Sequence, residues 1–320
     1  MTLIKVPTPD NILLAARNLK NGAIVGLPTE TVYGLAADAE NEMAVRRVYE
    51  LKKRPLNHPL IVHLGQIDYL EKWALEIPKF AWQLADEFWP GPLTMILKRS
   101  KVARDFITGS QNSIAVRMPA NAVAIDLLNH FHMLGGNGVA APSANKFGSV
   151  TSTSPQEIEE EFSNEFDSSK DLILDDGYSK IGVESTIVDL TDQIPKILRN
   201  GIITCLDIER TLDVKVEESV NTNIRYPGKF EKHYSPRANV EFRGVPSNGD
   251  GYLALAEVKT PSGCIRLNSP SDSLEFAFVL YRTFRLADQL NLKRIFVNLP
   301  EGNGIEVAIR ERVIKAANGM

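Results

Sequence analysis

The stretch from Gly22 to Ala39, GAIVGLPTETVYGLAADA, constrains the fold of this chain more than any other segment. Its apolar run, Ala23–Leu27, contains β-branched residues and is typical of a strand buried on both faces. Pro28 ends that strand because proline has no backbone donor. Hydrogen-bonding side chains come next, and Gly34 then allows close backbone approach. These polar side chains are Thr29, Glu30, Thr31 and Tyr33. The segment predicts either a binding turn at a strand end or a polar turn that caps the next element.

Helix and strand patterns alternate from residue 10 to about residue 205, which predicts an α/β fold. A first helix begins at an Asp10 cap and ends at Asn21-Gly22, and a second is capped by Asn41 and ended by Pro55. The residues expected on their inner faces are Ile12, Leu13, Ala16 and Leu19, and then Met43, Val45, Val48 and Leu51. Further helices are predicted at 78–88, 121–133 and 155–165, and strands at 60–64, 114–118, 172–174 and 185–190, with another in KILRNG.

A basic helix end runs directly into an apolar strand in LKKRPLNHPLIVHL. The cations Lys52, Lys53 and Arg54 either form a solvated end that matches the helix dipole or stand beside a strand end as ligand contacts. His63 interrupts the strand, and it is either a satisfied core group or a residue that faces the same cavity as Thr31.

Two later strands also carry polar groups. Arg117 lies in the apolar run IAVRMP, where burial without a partner would cost several kcal/mol, so it must reach an edge, an anion or a carboxylate. A structural salt bridge and a ligand contact both fit. The strand before Pro142 ends in PSAN, whose Ser143 and Asn145, with free backbone amides, suit either a loop or an anion cradle.

Bulk properties restrict the class of protein. The net charge is 36 minus 40, or −4, which provides no overall attraction to nucleic acid or anionic membrane. Cys205 and Cys264 show neither metal-ligand spacing nor a disulfide framework. No stretch approaches the roughly eighteen uninterrupted apolar residues of a membrane span. We therefore expect a soluble, cytoplasmic protein.

The chain divides into three parts by pattern. We expect a large first domain at 1–210, a linker at 211–238 and a small α/β domain at 239–320. The linker contains RYPGKFEKHYSPR, whose Tyr226, Phe230 and Tyr234 suggest that it packs on a surface. The predicted elements of the small domain are strands at 239–243, 251–258, 263–267 and 294–299 and helices at 273–291 and 304–317.

The common nucleotide and hydrolase signatures, among them the P-loop, HExxH, GxSxG and paired CxxC, do not occur in the sequence. Cations and hydroxyls at strand ends remain, without a nucleophile backed by a base. This set favours catalysis by positioning and charge neutralisation, as in transfer at a phosphate. The candidate anion contacts are Lys52, Arg54, Arg117 and Arg199, and the candidate polar-substrate contacts are Thr31, Ser143, Asn145 and Ser185.

Seven motifs occur in the order and approximate spacing of the Sua5/YrdC/YciO family: PTETVYGLAAD, KKRPLNHPLIVHL, WPGPLTMIL, IAVRMP, APSANKFG, GVESTIVDL and LRNG. The following HYSP segment resembles the longer Sua5 subtype. The resemblance implies a large YrdC-like domain with a twisted mixed sheet and a concave active-site cavity, joined by the linker to a small Rossmann-like α/β domain. Lys53 departs from the family pattern, in which glycine is common at that position, and Phe147 stands where serine is frequent.

The resemblance implies a nucleotidyltransferase that joins L-threonine, bicarbonate or CO2 and ATP into L-threonylcarbamoyl-AMP and pyrophosphate, for t6A modification of tRNA. By motif, threonine would be held by Thr31, His63, Arg117 and Ser185, and ATP by Lys52, Arg54, His58, Ser113, Ser143, Asn145, Arg199 and Tyr234. The implied catalytic residues are Lys52, Arg54 and Arg117. Mg2+ would arrive with ATP rather than occupy a dedicated protein site, and the linker would close as a lid. The product would pass to a Kae1/TsaD-type transferase, with direct tRNA binding weak or absent and no membrane partner.

Two alternatives belong to other functional classes. Proteins with this domain are also described as double-stranded RNA-binding modules, although the acidic total charge argues against that reading here. The second alternative is an enzyme that uses carbamoyl phosphate in the maturation of a hydrogenase. The zinc-finger and acylphosphatase-like parts expected in such an enzyme are missing from the sequence.

Overall fold

The structure is a computed structural model that describes residues 3–218, 223–229 and 234–317. Phe230 and the His233 of HYSP lie outside the described residues. The helices are Pro9–Lys20 (α1), Glu42–Lys52 (α2), Leu70–Trp73 (α3), Lys79–Phe88 (α4), Asp105–Thr108 (α5), Ala122–Met133 (α6), Pro155–Phe162 (α7), Cys205–Leu212 (α8), Ser273–Gln289 (α9) and Ile305–Ala317 (α10).

The strands form two sheets. They are Ile4–Lys5 (β1), Val25–Leu27 (β2), Gly34–Asp38 (β3), Ile61–His63 (β4), Leu93–Lys98 (β5), Ser113–Arg117 (β6), Val139–Ala140 (β7), Leu172–Leu174 (β8), Thr186–Asp189 (β9), Lys196–Arg199 (β10), Glu217–Glu218 (β11), Asn239–Glu241 (β12), Gly251–Leu253 (β13), Ile265–Asn268 (β14) and Arg294–Val297 (β15).

The larger sheet has eleven strands in the order β1-β8-β2-β3-β7-β4-β6-β5-β9-β10-β11. The sheet contains parallel pairs, such as β4 with β6, and antiparallel pairs, such as β5 with β6, so it is mixed, as the family resemblance implies. Its last strand, β11, falls inside the segment 211–238 that the sequence assigns to the linker. The hairpin of β2 and β3 carries PTETVY in its loop, which places this motif at a strand end.

Helix positions follow the sequence patterns, while some details differ. Helix α1 is capped by Thr8, whose hydroxyl accepts from the amide of Asn11, so the expected Asp10 cap is wrong. Helix α2 begins at its predicted Asn41 cap. Met43 is 82% exposed and does not belong to the inner face, because the buried stripe of α2 runs through Ala44 instead.

The second sheet contains four strands in the order β12-β15-β13-β14, and every pair is parallel. Helices α9 and α10 supply its main apolar cover, through buried residues such as Phe276 and Ile309. This small α/β unit has the parallel, helix-covered architecture expected of a Rossmann-like domain. The same apolar cluster includes Val32 and Val183, which belong to the region of the larger sheet, so the two units share a packed contact.

No helix within the described residues is both long enough and apolar enough to cross a membrane.

Candidate functional site

One face of the larger sheet brings polar and apolar side chains together in two halves. In a strand, side chains two positions apart point to the same face, and residues paired across strands share that face. His63 pairs with Arg117, which in turn pairs with Thr94. The apolar half of the face consists of Ile61, Ile96, Ala115, Ile187 and Leu198. Ile61, Ile96 and Ala115 each stand two positions from the polar residue of the same strand.

A cavity of about 40 Å³ lies over the polar half. Its wall is formed by the β2–β3 loop, by the segment after β7, by the strand ends and by the linker. The predicted site residues that it brings together are Thr31, Arg54, His63, Arg117, Ser143, Ser185, Arg199 and Tyr234. Those that do not line this wall are Lys52, His58, Ser113 and Asn145.

The contacts of Arg117 show how an arginine is accommodated inside a buried strand. Its Nη2 lies 2.6 Å from a carboxylate oxygen of Glu30, and its Nη1 donates to the hydroxyl of Thr31 at 2.8 Å. Nε donates to the carbonyl of Gly91 at 3.2 Å. Arg117 therefore makes the buried ion pair that one interpretation predicts. It also lines the cavity, and its contact with a ligand stays a prediction.

Arg54 and Arg199 approach the cavity from other elements. Arg54 is 8% exposed and donates from Nη2 to the carbonyl of Pro59 at 2.9 Å, while its Nε has no hydrogen-bond partner within the described part of the chain. Arg199 donates to the carbonyl and to the hydroxyl of Ser185, both at 3.0 Å. Burial lowers the pKa of Arg54 to about 10 and also lowers the pKa of Arg199. Buried guanidinium groups with spare donors are suited to an anionic ligand.

Lys52 supports the cavity from behind its wall. It is 1% exposed, and its ammonium donates to the carbonyls of Ser143 and Asn145. Burial, and then the nearby charge of Arg54, lowers the pKa of Lys52 to about 7. The solvated helix end proposed from the sequence is thus wrong for both Lys52 and Arg54.

The PSAN turn is held by internal hydrogen bonds. The amide of Ala144 donates to the carbonyl of Tyr33 at 2.8 Å, and that of Asn145 donates to Ser143 at 3.0 Å. These two amides are not free, contrary to the expectation from the sequence. The hydroxyl of Ser143, which donates to the Asn145 side chain at 2.6 Å, is the group of the turn that reaches the cavity wall.

His63 is 3% exposed and lines the cavity together with Thr31, as one of the two sequence interpretations has it. Burial, and then the adjacent Arg117, lowers the pKa of His63 to about 3, so the imidazole is neutral near pH 7. Its Nδ1 has no hydrogen-bond partner among the described residues. A neutral imidazole can accept as well as donate, which a protonated one cannot.

His58 and Ser113 lie elsewhere. The ring of His58 packs 5.3 Å from that of Phe147, and burial lowers the pKa of His58 to about 4. Ser113 begins β6, four positions before Arg117, and lines a separate open pocket with Thr191 and Arg225.

The linker closes the cavity from above. Tyr234 is 1% exposed, and its ring stacks on that of Tyr281 with centroids 5.4 Å apart. Ile224 and Tyr226 pack against the apolar half of the sheet face. The packing suggested by the aromatic residues of the linker is therefore present for Tyr226 and Tyr234.

Three contributors to the site are not among the site residues predicted from the sequence, although Glu30 was noted in the polar turn. Glu184 lines the cavity, Glu30 balances Arg117, and the hydroxyl of Thr94 lies 2.8 Å from that of Ser185. For Glu184 and Glu30 a signal existed, since each is an acidic residue that interrupts an apolar or hydroxyl-rich motif. Thr94 offered none, because a threonine in a β-strand is ordinary.

The donor set around the cavity fits phosphates better than it fits a metal ion. Within the residues described, no three His, Cys, Asp or Glu side chains are grouped to hold a metal. Glu30 and Glu184 are engaged by Arg117 and Arg312. Mg2+ prefers carboxylate, carbonyl and water oxygens, and commonly reaches proteins bound to substrate phosphates.

Two family models match the chain. One, Sua5_yciO_yrdC, described as "Telomere recombination", matches residues 17–201, and the other, Sua5_C, described as "Threonylcarbamoyl-AMP synthase, C-terminal domain", matches residues 203–318. The chain is 41% identical to the threonylcarbamoyl-AMP synthase of Pyrococcus abyssi over 72% of its own length and 66% of that relative. It is 32% identical to that of Bacillus subtilis over 96% of this chain and 93% of the relative. The solved structure of Pyrococcus abyssi Sua5 complexed with L-threonine matches with a TM-score of 0.87 at 32% identity, covering 100% of this chain and 97% of that one.

Proposed function

Because this chain belongs to the Sua5 family of threonylcarbamoyl-AMP synthases, we propose that it makes L-threonylcarbamoyl-AMP and pyrophosphate from L-threonine, bicarbonate or CO2 and ATP. The observation that carries the proposal is the convergence of Arg54, Arg117 and Arg199 on one small cavity in a chain of net charge −4. Three guanidinium groups from three separate elements suit a substrate pair with several negative charges.

Threonine binds at the end of the cavity formed by Thr31, His63, Arg117 and Ser185. The substrate carboxylate takes donors from Arg117, which must exchange part of its contact with Thr31 or Glu30 to make room. Neutral His63 and the hydroxyl groups then orient the polar ends of threonine without adding a competing charge.

ATP occupies the side of the cavity where Arg54, Arg199, Ser143 and Tyr234 meet. The guanidinium groups neutralise the phosphates, and Mg2+ accompanies ATP as a phosphate-bound ion. Lys52 acts through the PSAN turn by donating to the Ser143 carbonyl, and Asn145 acts through the same turn by accepting from the Ser143 hydroxyl. His58 and Ser113, which lie off the wall, would need the open form of the linker to reach the nucleotide.

The reaction has two steps. The threonine amine first attacks CO2, or the carbon of bicarbonate with loss of hydroxide, and loses a proton to give a carbamate. A carbamate oxygen then attacks the α-phosphorus of ATP, and the bond from that phosphorus to pyrophosphate breaks. The chain contributes alignment and charge neutralisation, since these account for most of catalysis in phosphoryl transfer.

The linker has to move during this cycle. A cavity of about 40 Å³ has room for a few water molecules but not for ATP. Opening of the segment that carries Tyr226 and Tyr234 admits the substrates, and its closure excludes water from a labile anhydride. The domain division at 1–210, 211–238 and 239–320 is part of this proposal.

The product serves t6A formation on tRNA and passes to a Kae1/TsaD-type transferase. Since ATP and tRNA are the materials of that pathway, the reaction takes place in the cytoplasm. The chain itself carries no charge excess that would hold tRNA, so transfer relies on the partner enzyme.

Pyrophosphate release from ATP tests the proposal, with threonine and bicarbonate each supplied or omitted and the adenylate detected by mass. Release that needs both co-substrates and yields threonylcarbamoyl-AMP supports it. If a folded protein releases no pyrophosphate under any combination, the synthase assignment fails, and a salt titration of double-stranded RNA binding tests the alternative.

A further inference from the structure

The last described helix, α10, reaches out of the small domain and contacts three parts of the cavity. Arg312 is 0% exposed and donates from Nε to a carboxylate oxygen of Glu184 at 2.9 Å. Its Nη2 donates to the carbonyl of Asn200 at 2.8 Å. These contacts cross from α10 to the residue before Ser185 and to the residue after Arg199.

Neighbouring side chains of α10 extend the same contact. Glu311 accepts a hydrogen bond from the amide of Asn200 at 3.2 Å, so both backbone groups of Asn200 are held by this helix. Lys315 donates to the carbonyl of Gly228 in the linker and lies 2.8 Å from a carboxylate oxygen of Glu311. One helix thus fixes the turn after β10 and the linker together.

Glu184 connects this helix to the substrate side. One of its carboxylate oxygens accepts from Arg312 and from the hydroxyl of Tyr281 in α9, both at 2.9 Å. The other accepts from the hydroxyl of Thr151 at 2.9 Å. The guanidinium of Arg312 also lies 5.4 Å from the ring centroid of Tyr234, which closes the cavity. A buried, charge-assisted network of this kind fixes geometry, and loss of one charged partner leaves the other uncompensated.

We propose that Arg312 is a positioning residue for the nucleotide, an inference that rests on the proposed function. It touches no reacting atom. It holds Asn200 and, through it, the neighbouring Arg199, and it supports the ring of Tyr234 in the closed linker. Three of the four threonine contacts, Thr31, His63 and Arg117, are instead anchored by the larger sheet and by Glu30. The fourth, Ser185, adjoins Glu184 but is also held by the hydroxyl of Thr94. The role of the small domain in synthesis is therefore to order the ATP half of the cavity.

The test compares Arg312→Gln with Arg310→Gln in the full chain. Arg310 lies on the same helix, but its guanidinium bonds the carbonyls of Pro300 and Gly302 inside the small domain. We expect Arg312→Gln to raise the KM for ATP by about tenfold or more, because charged hydrogen bonds are lost. The dissociation constant for threonine, measured by calorimetry without ATP, should change by less than about twofold, because three of its four contacts do not depend on Arg312. Arg310→Gln should match the wild type in both, and Arg312→Lys should recover part of the ATP affinity.

If Arg312 has only a structural role, Arg312→Gln should weaken the binding of ATP and of threonine to the same extent and lower the thermal stability. That result overturns the proposal. An unchanged KM for ATP in folded Arg312→Gln also overturns it. If that variant does not fold, Lys315→Met and Arg312→Lys decide in the same assay, and wild-type ATP affinity in both refutes the inference. A wild-type protein that neither releases pyrophosphate nor binds a non-hydrolysable ATP analogue refutes the proposed function itself, and this inference falls with it.

Discussion

Nη2 of Arg117 lies 2.6 Å from Oε1 of Glu30, with both side chains buried, while Oε2 of the same carboxylate has no partner among the described residues. The ion pair therefore leaves one carboxylate oxygen available within a site proposed for an amino acid. A ligand with a carboxylate and an ammonium group can engage both members of such a pair.

Replacing Arg117 by alanine should weaken threonine use by about 1.5–3 kcal/mol, because a charged hydrogen-bond partner is lost. The threonine dependence of pyrophosphate release measures this change. Since Glu30 would then be buried without a cation, unfolding must be followed alongside, and Arg117→Lys keeps a charge there. Arg46→Ala, which removes a surface pair with Glu42, is the control. Near wild-type threonine kinetics in folded Arg117→Ala would refute the role of Arg117.

His63 makes the fold sensitive to acid. The unfolded chain binds a proton at this imidazole below about pH 6.5, whereas the native site binds it only near pH 3 because of burial and Arg117. Between these two pH values the unfolded state binds more protons than the native state. The contribution of His63 to the free energy of unfolding is therefore complete above pH 6.5, and the free energy falls toward pH 3 by about 1.4 kcal/mol per pH unit at most. Urea unfolding of wild type and His63→Gln across this range measures the difference. Equal slopes in the two proteins would contradict the assignment.

Lys53 ends α2 in the left-handed region, with φ of 51°. A side chain is strained there and glycine is not, which gives a physical reason for the glycine that the family resemblance implies at this position. Lys53→Gly should therefore raise the free energy of unfolding by about 0.5–1 kcal/mol. Lys53→Ala keeps the Cβ atom and should show no such gain. Denaturant unfolding of the three proteins compares them, and equal effects of glycine and alanine would exclude the backbone explanation.

Gly201 directly follows the LRN segment, and its position has no room for a side chain. A Cβ atom would lie 2.4 Å from the amide nitrogen of Thr186 and 2.7 Å from its hydroxyl oxygen. Gly201→Ala should force β9 and the adjoining Ser185 away from Arg199, and lower the free energy of unfolding by about 1–3 kcal/mol. Thermal unfolding and the KM for ATP report the two effects. Unchanged stability of Gly201→Ala would contradict the prediction, because the turn would then accommodate the methyl group without a loss of free energy of unfolding.

The sequence predicted most of the architecture because its patterns are local. Strand β8 coincides with its predicted bounds, and α2 begins at its predicted cap. The two-residue strands β1 and β11 were missed because their few residues carry no periodicity. Met43 shows the limit of an inner-face assignment, since several rotations of a short helix satisfy the same spacing.

The candidate site was less predictable where side chains act across long distances in sequence. The motifs predicted Arg117 and Ser185, which lie on the cavity wall. They did not predict that Glu30 pairs with Arg117, or that Arg312 bonds Glu184, the residue before Ser185. Lys52 donates to two carbonyl oxygens of a turn that lies 91 and 93 positions later in the sequence. Such pairings depend on the packing of the whole domain, which a single sequence does not specify residue by residue.

The size of the cavity has a consequence for measured affinities. If only the open form of the linker admits substrate, the apparent dissociation constant is the intrinsic one divided by the open fraction, so an open population of about one per cent weakens binding about a hundredfold. Packing of Tyr226 on the apolar half of the sheet face favours the closed form of the free protein. Substitutions there would shift the apparent affinities for both substrates by a common factor while every contact to them stays the same. The linker thereby sets the concentration range over which the protein responds.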